Sequence, residues 1–324
     1  MRAVVLTEHG EPDVLTVAEV ADPVPGPDEV LVDVAATALN RADLLQRRGR
    51  YPGPPMDHEI PGMELAGRVA AVGSRARAWA VGDSVMGIVG GGAYAERIAV
   101  HERQLMPVPS TVGLTDAAAV PEVFITAWDA LVRQGGLTAG RVALVHAGAS
   151  GVGTAAIQIA KAIGASIIVT ASTGKLDACR QLGADRAVDY TADDFVEAAK
   201  DLTGGRGVDV VLDVIGGEYL ARNLDALTVG GRIIQVGVMG DASATFPLGA
   251  LLPKRASLIG TVLRSRPVEE KISVTQRFAR EMLPLFESRA LAPVIDSRFR
   301  LEQIADAHRH MESNANVGKI VVEL

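Results

Sequence analysis

Hydrophobic positions change rhythm part-way along the chain. In the first third they fall in short β-branched runs, Ala3–Leu6, Glu29–Ala36 and Gly67–Val72, divided by turn chemistry rather than by helical spacing. Proline bars Asp22–Pro27 and Tyr51–Pro55 from helix or central strand, and Gly90-Gly91-Gly92 reads as a flexible turn. From about Leu137 apolar runs alternate with helical patterns closed by glycine. Strands are expected at Val142–Ala147, Ser166–Thr170, Ala187–Tyr190, Val208–Val214, Arg232–Val236 and Ser257–Leu263. Between them helices are expected at Gly151–Ile163, Gly174–Leu182, Asp193–Leu202 and Gly217–Leu227. This alternation predicts an α/β fold with a Rossmann-type, doubly wound parallel sheet beside a β-rich domain. The last stretch gives two helices, Val268–Ser288 and Leu301–Ser313, and a strand, Lys319–Glu323. The expected organisation is residues 1–120 as the first part of a β-rich domain, 121–263 as the parallel α/β domain, and 264–324 returning to the first.

The 324 residues, 48% hydrophobic and 22% charged, are enough for two packed cores. A net charge of -7 without a basic tail argues against nucleic acid or an anionic membrane as partner. Lys254, Arg255, Arg264 and Arg266 flank an apolar strand, where solvated strand ends account for them. The single cysteine, Cys179, allows no disulfide within the chain and no zinc site built on two cysteines. The opening segment reads as a strand rather than a signal peptide, and Thr154–Ala171 is broken by Gln158, Lys161 and Gly164. A cytoplasmic enzyme is the expectation.

The first strand of the alternating region runs into Gly148-Ala149-Ser150-Gly151-Val152-Gly153 and then a helix. Such a strand–turn–helix brings backbone N–H groups and the positive end of a helix to a pyrophosphate. Gly148 is expected to make the tight turn and Gly153 the close helix–strand approach. Ser150 replaces the middle glycine of the fingerprint, with Gly151 beside it. Ser150 is not the centre of a nucleophile elbow, because Val152 stands where the second glycine belongs.

An NAD site places a carboxylate at the end of the second strand. Here that position reads Ala171-Ser172-Thr173-Gly174-Lys175, with no acid before Asp177. Hydroxyls and a lysine suit a 2′-phosphate, so NADPH is the expected cofactor; an ordinary helix cap with a solvated lysine accounts for the same residues.

With Ala38–Leu44, His146–Gln158, Leu263–Arg266 and Asn316–Val321 read in this order, the chain resembles the zinc-free quinone oxidoreductases of the medium-chain dehydrogenase/reductase superfamily. Within them it is most similar to the tumour-suppressor-induced type, and the resemblance spans essentially the whole sequence. It implies a GroES-like catalytic domain split around a Rossmann domain, in a homodimer. Zinc alcohol dehydrogenases of the superfamily carry their catalytic cysteine where this chain has Asn40. Their Gly-His-Glu motif falls on Gly62-Met63-Glu64. Amide and thioether are poor Zn²⁺ ligands, so no metal is expected. Asp57-His58-Glu59 is an alternative metal site that its proline-rich loop disfavours.

The resemblance further implies Asn40, Tyr51 and Arg264 beside nicotinamide and substrate. Thr126 would meet the carboxamide, and Gly237 and Val238 the ring. Ser172, Lys175 and Tyr190 would surround the 2′-phosphate, with Leu263 and Asn316 near the cofactor. Each has a plain structural alternative: Asn40 bonding a loop, Tyr51 packing, Arg264 pairing with a carboxylate, Tyr190 capping an edge strand. The activity implied is NADPH-dependent reduction of small quinones. The alternatives are an enone reductase, in which a tyrosine such as Tyr51 would supply a proton, and a non-catalytic NADPH-binding sensor or structural protein.

Overall fold

A computed structural model describes residues 1–324 apart from 52 and 56, so Pro52 of the Tyr51–Pro55 loop lies outside the described residues. The chain divides into two compact units, Met1–Ile125 with Arg264–Leu324, and Thr126–Leu263.

The second unit holds one sheet of six parallel strands. In sequence order they are Val142–Val145, Ser166–Ala171, Arg186–Asp189, Val208–Asp213, Leu227–Gln235 and Ser257–Gly260. Across the sheet they stand third, second, first, fourth, fifth, sixth. The order reverses beside Val142–Val145, which makes that strand's carboxyl end a topological switch point. Apolar residues from both layers, among them Leu144, Ile168, Phe195, Val211, Leu227 and Ile233, form the core on one face. This is the doubly wound sheet that the alternation predicts.

Strand ends depart from expectation for identifiable reasons. The first strand stops at Val145, because Ala147 adopts a left-handed conformation (φ 57°) that turns the chain out of the sheet. The third ends at Asp189, leaving Tyr190 half exposed in a turn. The last ends at Gly260, and its final ladder bond is Thr261 N–H to Gln235 O at 3.0 Å. Leu263 therefore lies in a bend rather than a strand. A helix over Pro121–Trp128, running on as π-helical Asp129–Gln134, has no counterpart in the sequence reading. It is buried nearly all round, so no polar stripe marks its period.

The first unit is built on a seven-stranded sheet with Glu29–Ala38 and Glu64–Val72 at its centre. Glycine 67 lets these two approach closely: a Cβ there would stand 2.1 Å from the Asp33 carbonyl oxygen. Lys319–Glu323 pairs antiparallel with Glu29–Ala38, Val321 opposite Ala38, so the chain's last strand completes the sheet begun near its start. Val30, Val32, Leu65, Val69, Val85 and Leu105 form its core. This is the β-rich, GroES-like part of the expected architecture.

Candidate active site

In the parallel sheet all strands point the same way, so their carboxyl ends share one edge. The Gly148–Gly153 turn, Ser172, Tyr190 and Gly237 all follow strands at that edge, and Val238 and Leu263 lie a few residues further on. The turn is shaped from within. Ser150 Oγ accepts from Gly153 N–H at 3.0 Å, capping the helix Gly151–Ala162. A Cβ on Gly153 would lie 2.4 Å from the Ala147 carbonyl oxygen, so glycine is required there. Gly148 does not make the tight turn, since the left-handed residue is Ala147. Gly148 is needed for packing instead, because a Cβ on it would stand 2.5 Å from Val169 Cβ. The N–H groups of Gly151 and Val152 make no hydrogen bond among the described residues and sit partly exposed at the helix N-terminus. Two free donors at the positive end of a 12-residue helix suit a pyrophosphate.

Beneath this turn lies a buried polar network absent from the sequence reading. Asn223 Nδ2 donates to Asp213 Oδ2 at 2.9 Å, and His146 Nε2 lies 2.7 Å from Asn223 Oδ1. With Thr170 Oγ1 3.0 Å from Nδ1, His146 is a neutral ring protonated at Nε2, and burial holds its pKa below the usual histidine value. Asp213 Oδ1 accepts from Ile215 N–H at 2.6 Å and Gly216 N–H at 3.1 Å, which fixes the turn after the fourth strand.

At the end of the second strand, Ser172 caps the short 3-10 turn Thr173–Lys175, and Tyr190 N–H donates to Ala171 O at 3.3 Å. Ser172, Lys175 and Tyr190 therefore cluster beside each other. Gly174 opens space, since nothing lies within 4 Å of where its Cβ would be. One carboxylate comes near that sequence spacing did not bring out: Asp189, in register with Ala171 on the adjacent strand. It accepts from the Thr173 hydroxyl and, through Oδ1, from Thr191 N–H at 2.9 Å and Thr191 Oγ1 at 2.7 Å. These donors hold its pKa below the ordinary aspartate value.

In the first unit Asn40 heads the helix Arg41–Arg47. Its own N–H donates to Asp43 Oδ2 at 2.8 Å, half of a capping box. Its side chain turns elsewhere: Nδ2 donates to Glu64 Oε1 at 2.8 Å, and Oδ1 accepts from Lys319 Nζ at 2.6 Å. Lys319 also donates to Glu64 Oε1 at 2.7 Å and Leu39 O at 2.6 Å. Glu64 Oε2 accepts from Glu122 N–H at 2.8 Å. All three side chains are buried. The donor set does not fit Zn²⁺: an amide replaces the thiolate, Met63 the imidazole, and an ammonium already occupies the carboxylate. No group of three or more His, Cys, Asp and Glu able to hold a metal occurs among the described residues.

Arg264 pairs with no carboxylate among the described residues. It donates to Gly90 O at 2.6 Å, Gln46 Oε1 at 2.6 Å and Tyr51 O at 3.3 Å, and its guanidinium lies 4.9 Å from the centre of the Tyr51 ring. Tyr51 is partly buried, which raises its phenol pKa. Asn316, in the loop before Lys319–Glu323, donates to Gly318 O at 3.0 Å. Thr126 is buried within the helix Pro121–Trp128. The structure thus groups Tyr51 with Arg264, and Asn40 with Glu64 and Lys319. Lys319 lies inside the Asn316–Val321 motif, but its partner is 255 positions away, and no local pattern signals that pairing.

A further buried cluster escaped the sequence reading. Arg47, fully buried, bonds Glu312, donates to Gly10 O at 2.9 Å, and places Nη1 3.4 Å from His308 Nδ1. Guanidinium can only donate, so Nδ1 accepts and Nε2 carries the proton, 3.4 Å from Tyr94 Oη. Tyr94 Oη in turn donates to Asp43 Oδ2 at 3.1 Å. Burial pushes Asp43 up to about 6 and His308 down to about 3.

A Rossmann sheet with free donors at its switch point, joined in sequence to a β-rich unit, defines a nicotinamide-dependent oxidoreductase class. Residues 151–282 match the zinc-binding dehydrogenase family and residues 26–110 the alcohol dehydrogenase GroES-like domain. Human quinone oxidoreductase is 32% identical over 100% of this chain and 98% of that protein. An NAD-dependent alcohol dehydrogenase structure superposes with TM-score 0.89 at 34% identity, covering 100% of each chain. Escherichia coli quinone oxidoreductase complexed with NADPH gives TM-score 0.89 at 28% identity, again over 100% of each. The chain belongs to the quinone oxidoreductase family of the medium-chain dehydrogenase/reductase superfamily.

Proposed function

We propose that the protein is a metal-independent NADPH:quinone reductase of the cytoplasm. The observation that carries the reading is the Asn40–Glu64–Lys319 cluster: where relatives with zinc would hold the ion, this chain seats an ammonium. Without a Lewis acid an alkoxide has no partner, whereas a quinone spreads incoming charge by conjugation. NADPH, when bound, supplies the hydride. The N–H groups of Gly151 and Val152 meet its pyrophosphate, Ser172, Lys175 and Tyr190 its 2′-phosphate, and Gly237 and Val238 the nicotinamide, with Thr126 at the carboxamide. Leu263 and Asn316 line the cofactor. Tyr51 and Arg264 present a hydroxyl and a cation to the acceptor carbonyl, and Asn40 is a positioning residue whose amide is held by Glu64 and Lys319. Solvent can protonate the hydroquinone.

Enone reduction is the second reading, favoured by the Tyr51 hydroxyl, which could protonate the α-carbon. A homodimer is proposed through Ser257–Gly260, an edge strand that among the described residues pairs on one side only and exposes Leu258.

One experiment tests the reading: steady-state rates with NADPH and NADH against a quinone and an enone, in wild type and Lys175→Ala. The expected result is metal-independent quinone turnover that prefers NADPH. Lys175→Ala should lower kcat/KM for NADPH about tenfold and leave NADH nearly untouched. Faster enone turnover would move the function to the second reading. Equal losses on both cofactors would remove Lys175 from the 2′-phosphate.

A further inference from the structure

The first unit carries a second cation beside Arg264 that no expected cofactor contact uses. Lys271 lies in the first turns of the helix Val268–Glu287, partly buried. Its Nζ makes no hydrogen bond or ion pair among the described residues. It stands 3.6 Å from where a Cβ on Gly90 would be, and Gly90 O is the carbonyl that Arg264 Nε holds at 2.6 Å. The two cations thus converge on one bare glycine loop, at Gly90 and Gly91.

This arrangement is costly as it stands. Burial lowers both pKa values, and the neighbouring guanidinium lowers that of Lys271 further. The positive end of the helix also disfavours a lysine in its opening turns. The two carboxylates whose charge acts on Arg264 make their hydrogen bonds elsewhere: Glu59 with Gln46 at 3.0 Å and His9 at 3.3 Å, Asp43 with Asn40 N–H and Tyr94. Arg264 itself spends its donors on neutral acceptors. A pair of half-desolvated cations that Asp43 and Glu59 favour only from a distance, with no carboxylate bonded to either among the described residues, gains charge-assisted hydrogen bonds when an anion arrives. Gly90 and Gly91 put no side chain of their own before the ammonium, and after Lys271 itself the side chain packed nearest them is that of Pro54, whose Cγ lies 3.7 Å from where a Cβ on Gly90 would be. A merely solvated surface lysine would not show the depressed pKa that burial gives this one.

We infer that Arg264 and Lys271 together bind a carboxylate carried by the acceptor, so that the preferred substrate is an anionic quinone or enone rather than a neutral one. The inference rests on the proposed reductase reading for its acceptor class. Tyr51, stacked on Arg264, would then lie between the anion and the reacting carbonyl.

The test is a benzoquinone with a propanoate side chain compared with its methyl ester, a pair whose methylene spacer leaves the ring's reduction potential alike. Wild type should show kcat/KM about tenfold higher for the acid. That ratio should fall at least threefold in Lys271→Met, return in Lys271→Arg, and shrink as ionic strength rises. An acid-to-ester ratio of one in wild type, or one that Lys271→Met leaves alone, overturns the inference while ester turnover keeps the reductase reading. If neither compound oxidises NADPH, the reductase reading fails. Calorimetric binding of acid and ester to wild type and Lys271→Met then decides the carboxylate site by the same ratio.

Discussion

Around Asn40, Glu64 and Lys319 the protein supplies its own partners: amide, carboxylate and ammonium satisfy one another in the interior. At the Gly151 end of the Rossmann helix it does the opposite, leaving two N–H groups without acceptors among the described residues at a partly exposed turn. The filled region joins amide, carboxylate and ammonium in one buried cluster. The unfilled one is shaped by close packing, with Gly148 against Val169 and Gly153 against Ala147, while Gly151 and Val152 stay partly exposed. A saturated polar cluster fixes local geometry; an unsaturated one at an exposed helix N-terminus is open to water or to an anionic ligand.

The comparison breaks most visibly if the filled region is emptied. Lys319→Met leaves the Glu64 carboxylate buried without its cation and should cost about 3–5 kcal/mol of stability. Chemical denaturation measures it, and the Glu64→Gln/Lys319→Met double variant should recover much of the loss. A cost below about 1 kcal/mol for the single change would mean that the pair is not what holds this interior.

Gly153→Val strikes the unfilled region. The new side chain must displace the Ala147 carbonyl, which moves the N–H groups of Gly151 and Val152. NADPH affinity should fall about a hundredfold, or about 2.7 kcal/mol, read by calorimetric titration of a variant whose circular dichroism is unchanged. Unaltered affinity would detach the turn from the pyrophosphate.

The filled region has one exception, and it predicts the smallest effect. Asp43 Oδ1 is buried with no hydrogen-bond partner among the described residues. Because burial raises Asp43 to about 6, it contributes stability that is present at low pH and lost as pH rises through about 6. His308, lowered to about 3, contributes stability present above its ordinary pKa and lost as pH falls toward 3. Between about pH 4 and 6 the two slopes oppose each other, each at about 1.4 kcal/mol per pH unit. Wild-type stability from these groups should therefore be nearly flat there. His308→Gln should make stability rise on acidification, and Asp43→Asn should make it fall. Urea midpoints across that range check it, and parallel profiles for the two variants would contradict the assignment.

Much of the nucleotide-type sheet was legible in the sequence, because strand and helix periods, glycine closures and the Gly148–Gly153 turn are local. Helix Pro121–Trp128 was not, since near-complete burial erases the polar stripe that reveals a helix. The strand expected over Ser257–Leu263 was read too long: apolar residues continue after Gly260, but the neighbouring strand offers them no ladder beyond Gln235. Among candidate site residues, the alternative reading of Arg264 as a carboxylate's partner was replaced by carbonyls and Gln46, which only the folded loops bring together.

The sequence by itself determined the doubly wound sheet and the glycines that its turn cannot do without, both matters of residue type at short range. The tertiary structure decided which charges are answered. Lys319 meets Glu64 across 255 positions, His308 meets Arg47 across 261, and Lys271 meets no carboxylate among the described residues. Burial sets the energy of a charge, and burial belongs to the folded chain: the same lysine is a solvated tail at one site and a structural cation at another.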